Sequence, residues 1–493
     1  METSFFLADE AATQRFANDI AMILRPGDLL TLQGDLGAGK STFAREIVRV
    51  LAHDETLDVP SPTFTLVQTY DETRFLVAHA DLYRLTDPQE IEELGLTEML
   101  CDGIVLVEWP ENAEQFLPQA SFALKFLHDG NGRRVNLIVQ NDRFEALQQT
   151  CVIRQFLEKA GYGLAKRLYL AGDASARSYE FIVDEDVKVL MNAPIMELPE
   201  TGVQPYAKIA HLAPDMKQFV GIDMMIREQG FYAPEICASD YEHGLLLMEN
   251  LGQAGIITQT REPIRERYLA AAELLVKFHE KSWPNFYKWD NFSIIIPPFD
   301  EGAMMAELSL LPQWYIPYKK NREMTNPEKE TFIQAWKPIV AHLQTVKTTF
   351  VMRDFHSPNL IWREDKTGTD RLGLIDFQDG LIGPEAYDLA SLVQDARVTI
   401  PANLEQEILR HYCDMRKNIN PEFDEKKFLE SYAMMAAQRA SKILGIFVRL
   451  KLRDHKPNYL KHLPRLIDYL QRSFKHPVLK PLKQCYEDLA ILE

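Results

Sequence analysis

The 493-residue sequence contains no apolar stretch that approaches the roughly 18–20 residues needed to span a bilayer. Its apolar runs, such as residues 104–107 and 245–248, are only a few residues long. The opening Met-Glu-Thr-Ser also lacks the basic start of a signal peptide. We therefore expect no membrane association and a cytoplasmic location.

Cysteine is also scarce, and the five thiols lie far apart in the chain. None of the spacings between them is typical of a zinc site or a redox dithiol. This excludes a disulfide scaffold and predicts reduced, mostly packed side chains. The five residues are Cys101, Cys151, Cys237, Cys413 and Cys485.

Basic residues are outnumbered, with 54 Lys and Arg against 72 Asp and Glu and a net charge of −18. The deficit is concentrated in residues 1–150, which hold 11 basic and 25 acidic residues. Such an excess of acidic residues is also typical of an ordinary solvated surface. It would nevertheless repel the phosphate backbone of a nucleic acid. We expect that the first part of the chain does not bind nucleic acid by itself.

The chain has ample core-forming material, with 46% hydrophobic residues in a length that predicts two to four domains. In residues 1–150, short apolar strand candidates alternate with helical ones, which indicates an α/β sheet. Residues 160–493 begin with strands and end with long helical patterns, which predicts a small β-rich lobe followed by a larger α lobe. We place the domain boundary near residue 150.

A phosphate-binding loop is predicted at residues 34–41, Gly-Asp-Leu-Gly-Ala-Gly-Lys-Ser. The segment matches G-x-x-x-x-G-K-[ST] and lies between a strand candidate and a helical one, as that motif requires. Its backbone N–H groups would surround phosphate oxygens of ATP, Lys40 would reach the β- and γ-phosphates, and Ser41 would supply an oxygen to Mg²⁺.

Two carboxylates complete this predicted site. Glu108 ends the apolar run at residues 104–107, where a P-loop protein needs an acid for magnesium or its water. Asp81 follows another short strand and is a candidate for orienting an attacking water. The alternative for Asp81 is a helix N-cap or a surface salt bridge with Arg84.

Four segments together resemble the TsaE family, the small ATPases of bacterial tRNA threonylcarbamoyladenosine synthesis. They are the phosphate-binding loop, Ser-Pro-Thr-Phe-Thr-Leu-Val at residues 61–67, His-Ala-Asp-Leu-Tyr-Arg at residues 79–84 and Val-Glu-Trp-Pro at residues 107–110. The resemblance covers residues 1–145. It implies ATP hydrolysis that serves a partner pair, TsaB and TsaD, which modifies tRNA and would hold the tRNA itself.

The same resemblance implies roles for individual residues. Ser41 and Glu108 would bind Mg²⁺, and Asp81 would be catalytic. Arg134 would contact the nucleotide, and Thr13 would lie near its base. The phosphate cradle would consist of Gly37, Ala38, Gly39, Lys40, Ser41 and Thr42.

A second constellation lies in the predicted α lobe, at residues 351–359, Val-Met-Arg-Asp-Phe-His-Ser-Pro-Asn. It places Asp354 and Asn359 five positions apart, and a later strand candidate delivers Asp376. A kinase needs one carboxylate to accept the proton of an attacking hydroxyl, here Asp354. It also needs an asparagine and a second aspartate for Mg²⁺ on the phosphates, here Asn359 and Asp376.

The predicted β lobe offers two further ATP contacts. A short turn precedes its first strand pair. The backbone amides and the serine hydroxyl of this turn would cover the phosphates of ATP. Residues 246–252 read as a strand that leads into a hinge whose backbone would meet adenine, or else as a plain core strand. The turn consists of Gly172, Asp173, Ala174 and Ser175.

Residues 165–490 resemble the aminoglycoside phosphotransferase family and, within it, the N-acetylmuramate/N-acetylglucosamine kinases. The resemblance rests on the segments named above and on Ile-Asp-Phe-Gln-Asp-Gly at 375–380, Gln-Arg-Ala-Ser-Lys-Ile-Leu-Gly at 438–445 and Tyr-Leu-Lys-His-Leu-Pro-Arg at 459–465. It implies a two-lobed, protein-kinase-like fold that transfers the γ-phosphate of ATP to the anomeric hydroxyl of an amino sugar.

Two departures from that family keep alternatives open. Met352 replaces a histidine common two positions before the aspartate, and Met191 lies where a phosphate-binding lysine is expected, with Lys188 nearby. These departures leave three alternatives for the second module. It is a kinase for the amino sugar, a pseudokinase, or a kinase for another small alcohol, for example an aminoglycoside, choline or a homoserine-like compound. The first module is an ATPase or a nucleotide switch without significant hydrolysis.

Overall fold

The computed structural model describes residues 1–170, 177–195 and 205–492. The chain divides into two compact units. The first comprises Met1–Asn192 with Cys237–Met248, and the second comprises Ala193–Ile236 with Glu249–Glu493. The turn predicted to cover phosphates, Gly172 to Ser175, lies outside the described residues.

The first unit contains a seven-stranded sheet in the order β1-β7-β6-β2-β5-β4-β3. The four strands β6, β2, β5 and β4 are parallel, and antiparallel strands extend the sheet at both edges. The strands are β1 (Glu2–Leu7), β2 (Leu29–Gly34), β3 (Val67–Tyr70), β4 (Leu76–Asp81), β5 (Gly103–Glu108), β6 (Phe122–Asp129) and β7 (Gly132–Val139).

Alternating residues of the central strands supply two separate cores. Leu30 and Leu32 face one core, together with Phe16 of helix α1 (Glu10–Ile23) and Phe43 of helix α2 (Lys40–Ala52). Leu29 and its neighbours on β4 and β5 face the other core, which short helical turns cover. Because both faces are buried, the parallel strands are continuous apolar runs. Their carboxyl ends all lie at one edge, which carries the phosphate-binding loop.

A second sheet in the first unit has five strands in the order β11-β12-β10-β9-β8. Helix α4 (Asn141–Lys159) contributes to the cores of both sheets, with Leu147 in the first and Phe156 in the second. The predicted boundary near residue 150 therefore lies inside a helix. The elements not yet named are β8 (Lys166–Leu170), β9 (Ser178–Val183), β10 (Val187–Asn192), β11 (Ile236–Asp240), β12 (Leu245–Glu249) and α3 (Leu96–Met99).

Polar contacts join α1 to β8, the edge strand of the second sheet. The Asn18 side chain accepts a hydrogen bond from the Arg167 backbone N–H at 2.9 Å and donates one to its carbonyl at 2.7 Å, as a neighbouring strand would. The buried Arg167 guanidinium donates to both oxygens of Glu180 and to Asp19 at 2.7 to 2.9 Å. Arg154 of α4 also binds Asp19, so two cations and two carboxylates neutralise one another.

In the part that the structure describes, the second unit is mainly helical and contains three two-stranded sheets. Its helices are α5 (Tyr206–Ile209), α6 (Met216–Glu228), α7 (Arg265–His279), α8 (Glu301–Leu310), α9 (Ile316–Lys320), α10 (Asn326–Leu343), α11 (Ala386–Val393), α12 (Ala402–Ile419), α13 (Glu425–Leu452), α14 (Leu463–Ser473) and α15 (Lys480–Asp488). Its strands are β13 (Phe286–Trp289), β14 (Phe292–Ile295), β15 (Thr348–Val351), β16 (Leu360–Trp362), β17 (Leu372–Leu374) and β18 (Leu381–Pro384).

The predicted mixed α/β class, with a parallel-containing sheet followed by a β-rich and then a helical region, is confirmed. Residues Pro88–Leu94 form a 3₁₀ turn, which begins with a proline and is capped by the side chain of Asp87. None of the helices in the described ranges is long and apolar enough to cross a bilayer.

The Arg167 contacts give a first testable prediction. Replacing the cation in Arg167→Met leaves the buried Glu180 without its partner and leaves Asp19 with Arg154 alone, which we expect to destabilise the region by about 3–5 kcal/mol. Hydrogen–deuterium exchange of peptides from α1 and β8 measures this as a loss of protection. The control Arg25→Met removes an exposed pair with Asp142 and should change protection by less than about 1 kcal/mol. Unchanged protection in Arg167→Met would contradict the interpretation.

Candidate functional sites

The phosphate-binding loop connects the end of β2 to the start of α2, as its motif predicts. Gly37 and Gly39 have φ values of 75° and 107°, in the left-handed region that glycine adopts without strain. A side chain at Gly37 would meet only open space, so the loop lines a concave surface. The cavity there measures about 290 Å³ and is also lined by Thr42, Asp81 and Glu108.

Lys40 lies at the first position of α2 and is directed into the loop. Its ammonium donates to the carbonyls of Gly34 at 2.6 Å and Asp35 at 2.9 Å, and it lies 3.8 Å from the centre of the Trp109 ring. Burial lowers the pKa of Lys40, while the charge of Glu108 opposes that shift. These contacts hold the ammonium of Lys40 beside the phosphate-binding loop.

Ser41 and Glu108 meet as predicted for a pair that binds magnesium. The Ser41 hydroxyl donates to one oxygen of Glu108 at 2.8 Å, and His79 Nε2 lies 2.9 Å from the other. Glu108 and His79 are both buried. Because each carboxylate oxygen has a partner, the orientation of Glu108 is fixed.

Asp81 is placed beside Glu108 because β4 and β5 are parallel and in register at these two residues. One of its oxygens accepts hydrogen bonds from Ser61 at 2.6 Å and Thr63 at 3.0 Å. The other accepts from the backbone N–H of Tyr83 at 3.0 Å. Asp81 is thus tied to the segment 61–67, and the Arg84 guanidinium lies over the Phe64 ring instead of against Asp81.

Thr13 and Arg134 lie at different distances from the loop. Thr13 is buried in α1, and its methyl group lies 4.0 Å from the position that a side chain at Gly39 would occupy. Arg134 pairs with Asp129 in its own hairpin, whereas the neighbouring Arg133 donates to the carbonyl of Gly37 at 3.2 Å. The alternation of a strand puts the two arginines on opposite faces of β7.

In the second unit, the loop between β15 and β16 brings the kinase-like residues together. The amide of Asn359 donates to the Asp354 carbonyl at 2.9 Å and to the Asp376 carboxylate at 3.2 Å. Gln378 donates to the other oxygen of Asp376 at 2.7 Å. The Asp354 side chain remains 42% exposed, so its carboxylate is accessible to an acceptor molecule.

Buried polar contacts hold this loop in place. Arg353 has a φ of 70°, and its guanidinium binds the fully buried Glu307. Lys442 also donates to Glu307, at 2.6 Å. Burial opposes ionisation, but these two cations outweigh it and lower the pKa of Glu307 to about 2. Asp388 braces the loop, because its carboxylate accepts from the backbone N–H groups of Met352 and Arg353 at 2.7 and 3.0 Å.

His356 lies behind the loop that carries Asp354. Its Nε2 is 3.8 Å from the Asp354 carboxylate and 3.1 Å from the Arg397 guanidinium. Burial and the charge of Arg397 lower the pKa of His356 to about 4, so the imidazole is neutral at pH 7. Asp395 accepts from the Ser357 backbone N–H at 2.9 Å and fixes the same turn.

The β-lobe positions that depart from the kinase pattern are packed or paired. Met191 is fully buried on β10. Lys188 lies three positions away, on the opposite face of the strand, and binds Asp186 at 2.7 Å. Met352, two positions before Asp354, is also buried. Neither methionine exposes a polar group to a nucleotide.

Sequence reasoning overlooked three partners of the site residues. None of the three, His79, Glu307 and Arg133, was assigned a role from the sequence. A signal existed for His79, because residues 79 and 81 of one strand share a face. Glu307 lies 46 positions from Arg353, and nothing local in the sequence joins them.

Comparison with known proteins identifies two regions. Residues 7–135 match the family described as threonylcarbamoyl adenosine biosynthesis protein TsaE, and residues 168–425 match the phosphotransferase enzyme family. A TsaE protein of Rickettsia conorii is 38% identical over 147 residues, which are 30% of this chain and 83% of the relative. An N-acetylmuramate/N-acetylglucosamine kinase of Caulobacter vibrioides is 31% identical over 347 residues, 67% of this chain and 94% of the relative. A choline kinase structure from Streptococcus pneumoniae, at 14% identity, covers 66% of this chain and 99% of its own with a TM-score of 0.44.

The chain is therefore an enzyme that combines a P-loop ATPase domain with a kinase-like phosphotransferase domain. It belongs to the TsaE family in its N-terminal region and, in its C-terminal region, to the phosphotransferase enzyme family, among the relatives of the N-acetylmuramate/N-acetylglucosamine kinases. Both resemblances predicted from the motifs are confirmed.

The buried Glu307 gives a pH-dependent prediction. Glu307→Gln leaves Arg353 and Lys442 without a carboxylate and should destabilise the protein by about 3–5 kcal/mol at pH 7. Because the pKa of Glu307 is lower in the folded chain than in the unfolded one, this stabilisation is complete above the unfolded pKa and lost as pH falls towards about 2.

Urea unfolding measures the free energy of unfolding of wild type and of Glu307→Gln. The difference between the two proteins should be smaller at roughly pH 3 than at pH 7. Asp468→Asn removes an exposed partner of Arg472 and serves as the control, with a change below about 1 kcal/mol. A difference independent of pH would contradict the interpretation.

Proposed function

We propose that the chain is bifunctional: an ATPase for threonylcarbamoyladenosine modification of tRNA, and a kinase that phosphorylates the anomeric hydroxyl of N-acetylmuramate or N-acetylglucosamine. The observation that supports it is the presence of two separate sets of oxygen ligands, each beside a candidate catalytic carboxylate. One set is Ser41 and Glu108 beside Asp81, and the other is Asn359 and Asp376 beside Asp354.

The ligand sets fit ATP with Mg²⁺. Hydroxyl, amide and carboxylate oxygens are what this hard cation prefers. Phosphate oxygens and water would complete the coordination of each ion. When bound, Mg²⁺ neutralises phosphate charge.

In the N-terminal domain, Lys40 and the backbone of residues 37–42 would bind the phosphates. Asp81, held by Ser61 and Thr63, would orient the attacking water. The acidic surface of this domain favours docking on protein partners over direct binding of tRNA. TsaB- and TsaD-type proteins are the proposed partners, as the resemblance to the TsaE family implies.

In the C-terminal domain, Asp354 would accept the proton of the acceptor hydroxyl as that oxygen attacks the γ-phosphate. Partial burial works against its ionisation, but cations behind the loop, among them Lys442 and Arg353, lower the pKa of Asp354. The carboxylate is therefore ionised at neutral pH and able to act as a base. Arg353 and Asn359 keep its backbone in place.

An ADP-release assay tests both activities in one chain. Sugar-dependent turnover should fall by about 10²–10⁴-fold in Asp354→Asn, which keeps the shape of the side chain but removes the base. Turnover stimulated by TsaB and TsaD should be lost in Lys40→Ala and retained in Asp354→Asn. Asp365→Asn and Lys125→Ala, at exposed positions, are the matched controls.

The outcomes separate the alternatives. If ADP is released but neither sugar is phosphorylated, the amino-sugar kinase assignment is overturned. That result would favour a kinase for another alcohol or a pseudokinase. Nucleotide binding at Lys40 without hydrolysis, even with both partners present, would favour a nucleotide switch in the first domain.

A further inference from the structure

Helix α13 carries the segment Gln-Arg-Ala-Ser-Lys-Ile-Leu-Gly, to which the proposed function assigns no chemistry. Gln438 and Lys442, one turn apart on this helix, both donate to the buried Glu307, at 2.8 and 2.6 Å. Glu307 also binds Arg353, the residue before Asp354. One face of α13 therefore packs behind the loop that carries Asp354.

Arg439 lies next to this face and has a side chain that is only 5% exposed. At about 100° per residue, Lys442 falls between Gln438 and Arg439 around the helix. The guanidinium of Arg439 makes no hydrogen bond or ion pair with any residue in the part of the chain that the structure describes. Its nitrogens are nevertheless not among the unpartnered polar atoms that are sealed from solvent. The cation of Arg439 therefore lies at an opening.

The carboxylate of Asp354 lies near this cation. Partial burial opposes the ionisation of Asp354, and the cations that lower its pKa include Lys442 and Arg439. The Asp354 side chain is 42% exposed, and its carboxylate accepts no hydrogen bond from the described residues. Asp354 and Arg439 also form no ion pair with each other. Two accessible groups of opposite charge thus lie near each other without closing the contact between them.

The γ-phosphoryl group of ATP is the anion that suits this arrangement. A buried cation destabilises a fold unless a counter-charge pairs with it, and phosphoryl transfer brings this anion to Asp354 whatever the acceptor is. The kinase pattern places a β-lobe lysine on the phosphates, but Met191 is buried at that position and Lys188 binds Asp186. The planar fork of an arginine matches the geometry of phosphate oxygens.

We propose that Arg439 is a catalytic residue of the kinase, whose guanidinium donates hydrogen bonds to the non-bridging oxygens of the γ-phosphoryl group during transfer. The inference rests on the proposed kinase function. The acceptor oxygen bonds to the γ-phosphorus as the bond from that phosphorus to the β–γ bridging oxygen breaks, and ADP leaves with that electron pair. Asp354 takes the hydroxyl proton, while Arg439 stays protonated and stabilises the negative charge of the group in transit.

The kinetics of Arg439→Met and Arg439→Lys test the inference. We expect kcat to fall about 10³-fold in Arg439→Met with the KM for either sugar nearly unchanged, because the contact forms in the transition state. Arg439→Lys keeps the charge but not the fork and should recover part of the loss. Lys426→Met, at an exposed position of the same helix, should change neither constant. A rise in KM confined to N-acetylmuramate would assign Arg439 to the acceptor and overturn the inference.

Thermal unfolding separates this role from a structural one. Because Arg439 lacks a counter-charge and Met keeps an apolar stem, Arg439→Met should leave the midpoint unchanged or raise it. Lys442→Met removes a bound cation from the buried Glu307 and should lower the midpoint. A lower midpoint in Arg439→Met would assign that side chain to the packing of the fold and overturn the inference.

Nucleotide binding tests the inference even if wild type phosphorylates neither sugar, which would be a failure of the proposed function alone. ADP with Mg²⁺ and aluminium fluoride imitates the phosphoryl group in transit, and Lys40→Ala confines binding to the second site. Aluminium fluoride should tighten ADP binding at least about tenfold in Lys40→Ala and not in Lys40→Ala/Arg439→Met. Equal tightening in both proteins, or tightening in neither, would overturn the inference.

Discussion

The fused architecture depends on the neutralisation of one buried charge, the guanidinium of Arg167. A buried cation is costly unless carboxylates surround it, and its partners come from both modules: Asp19 from the P-loop domain and Glu180 from the kinase β lobe. The Asn18 side chain also caps the sheet edge that β8 would otherwise leave unpaired. Helix α4, shared by two cores, completes the connection. The ATPase domain is thus part of the packing of the kinase β lobe.

Both candidate sites follow one physical pattern. The functional oxygen lies in a loop or at a strand end, and a buried group behind it fixes its direction. His79 does this for Glu108, and Glu307 does it for the loop of Asp354 through Arg353. Pre-organised groups of this kind need no rearrangement when charge develops during phosphoryl transfer.

The sequence predicted those parts of the sites that depend on neighbouring residues. Lys40 follows from a contiguous motif, and Glu108 from the end of an apolar run, because each local pattern fixes the backbone around it. Glu307 and Arg167 could not be predicted, since their partners are distant in the chain and come together only through tertiary packing. The sequence pattern does not predict strand β8, because its five residues include two basic side chains that break the apolar alternation.

The central claim is that one chain holds two distinct sites for ATP with Mg²⁺. Equilibrium binding of a non-hydrolysable ATP analogue with Mg²⁺ to the full chain tests it most directly. The account predicts two equivalents bound by wild type and one each by Lys40→Ala and Asp376→Ala. A single equivalent in wild type, or two equivalents in either variant, would contradict it.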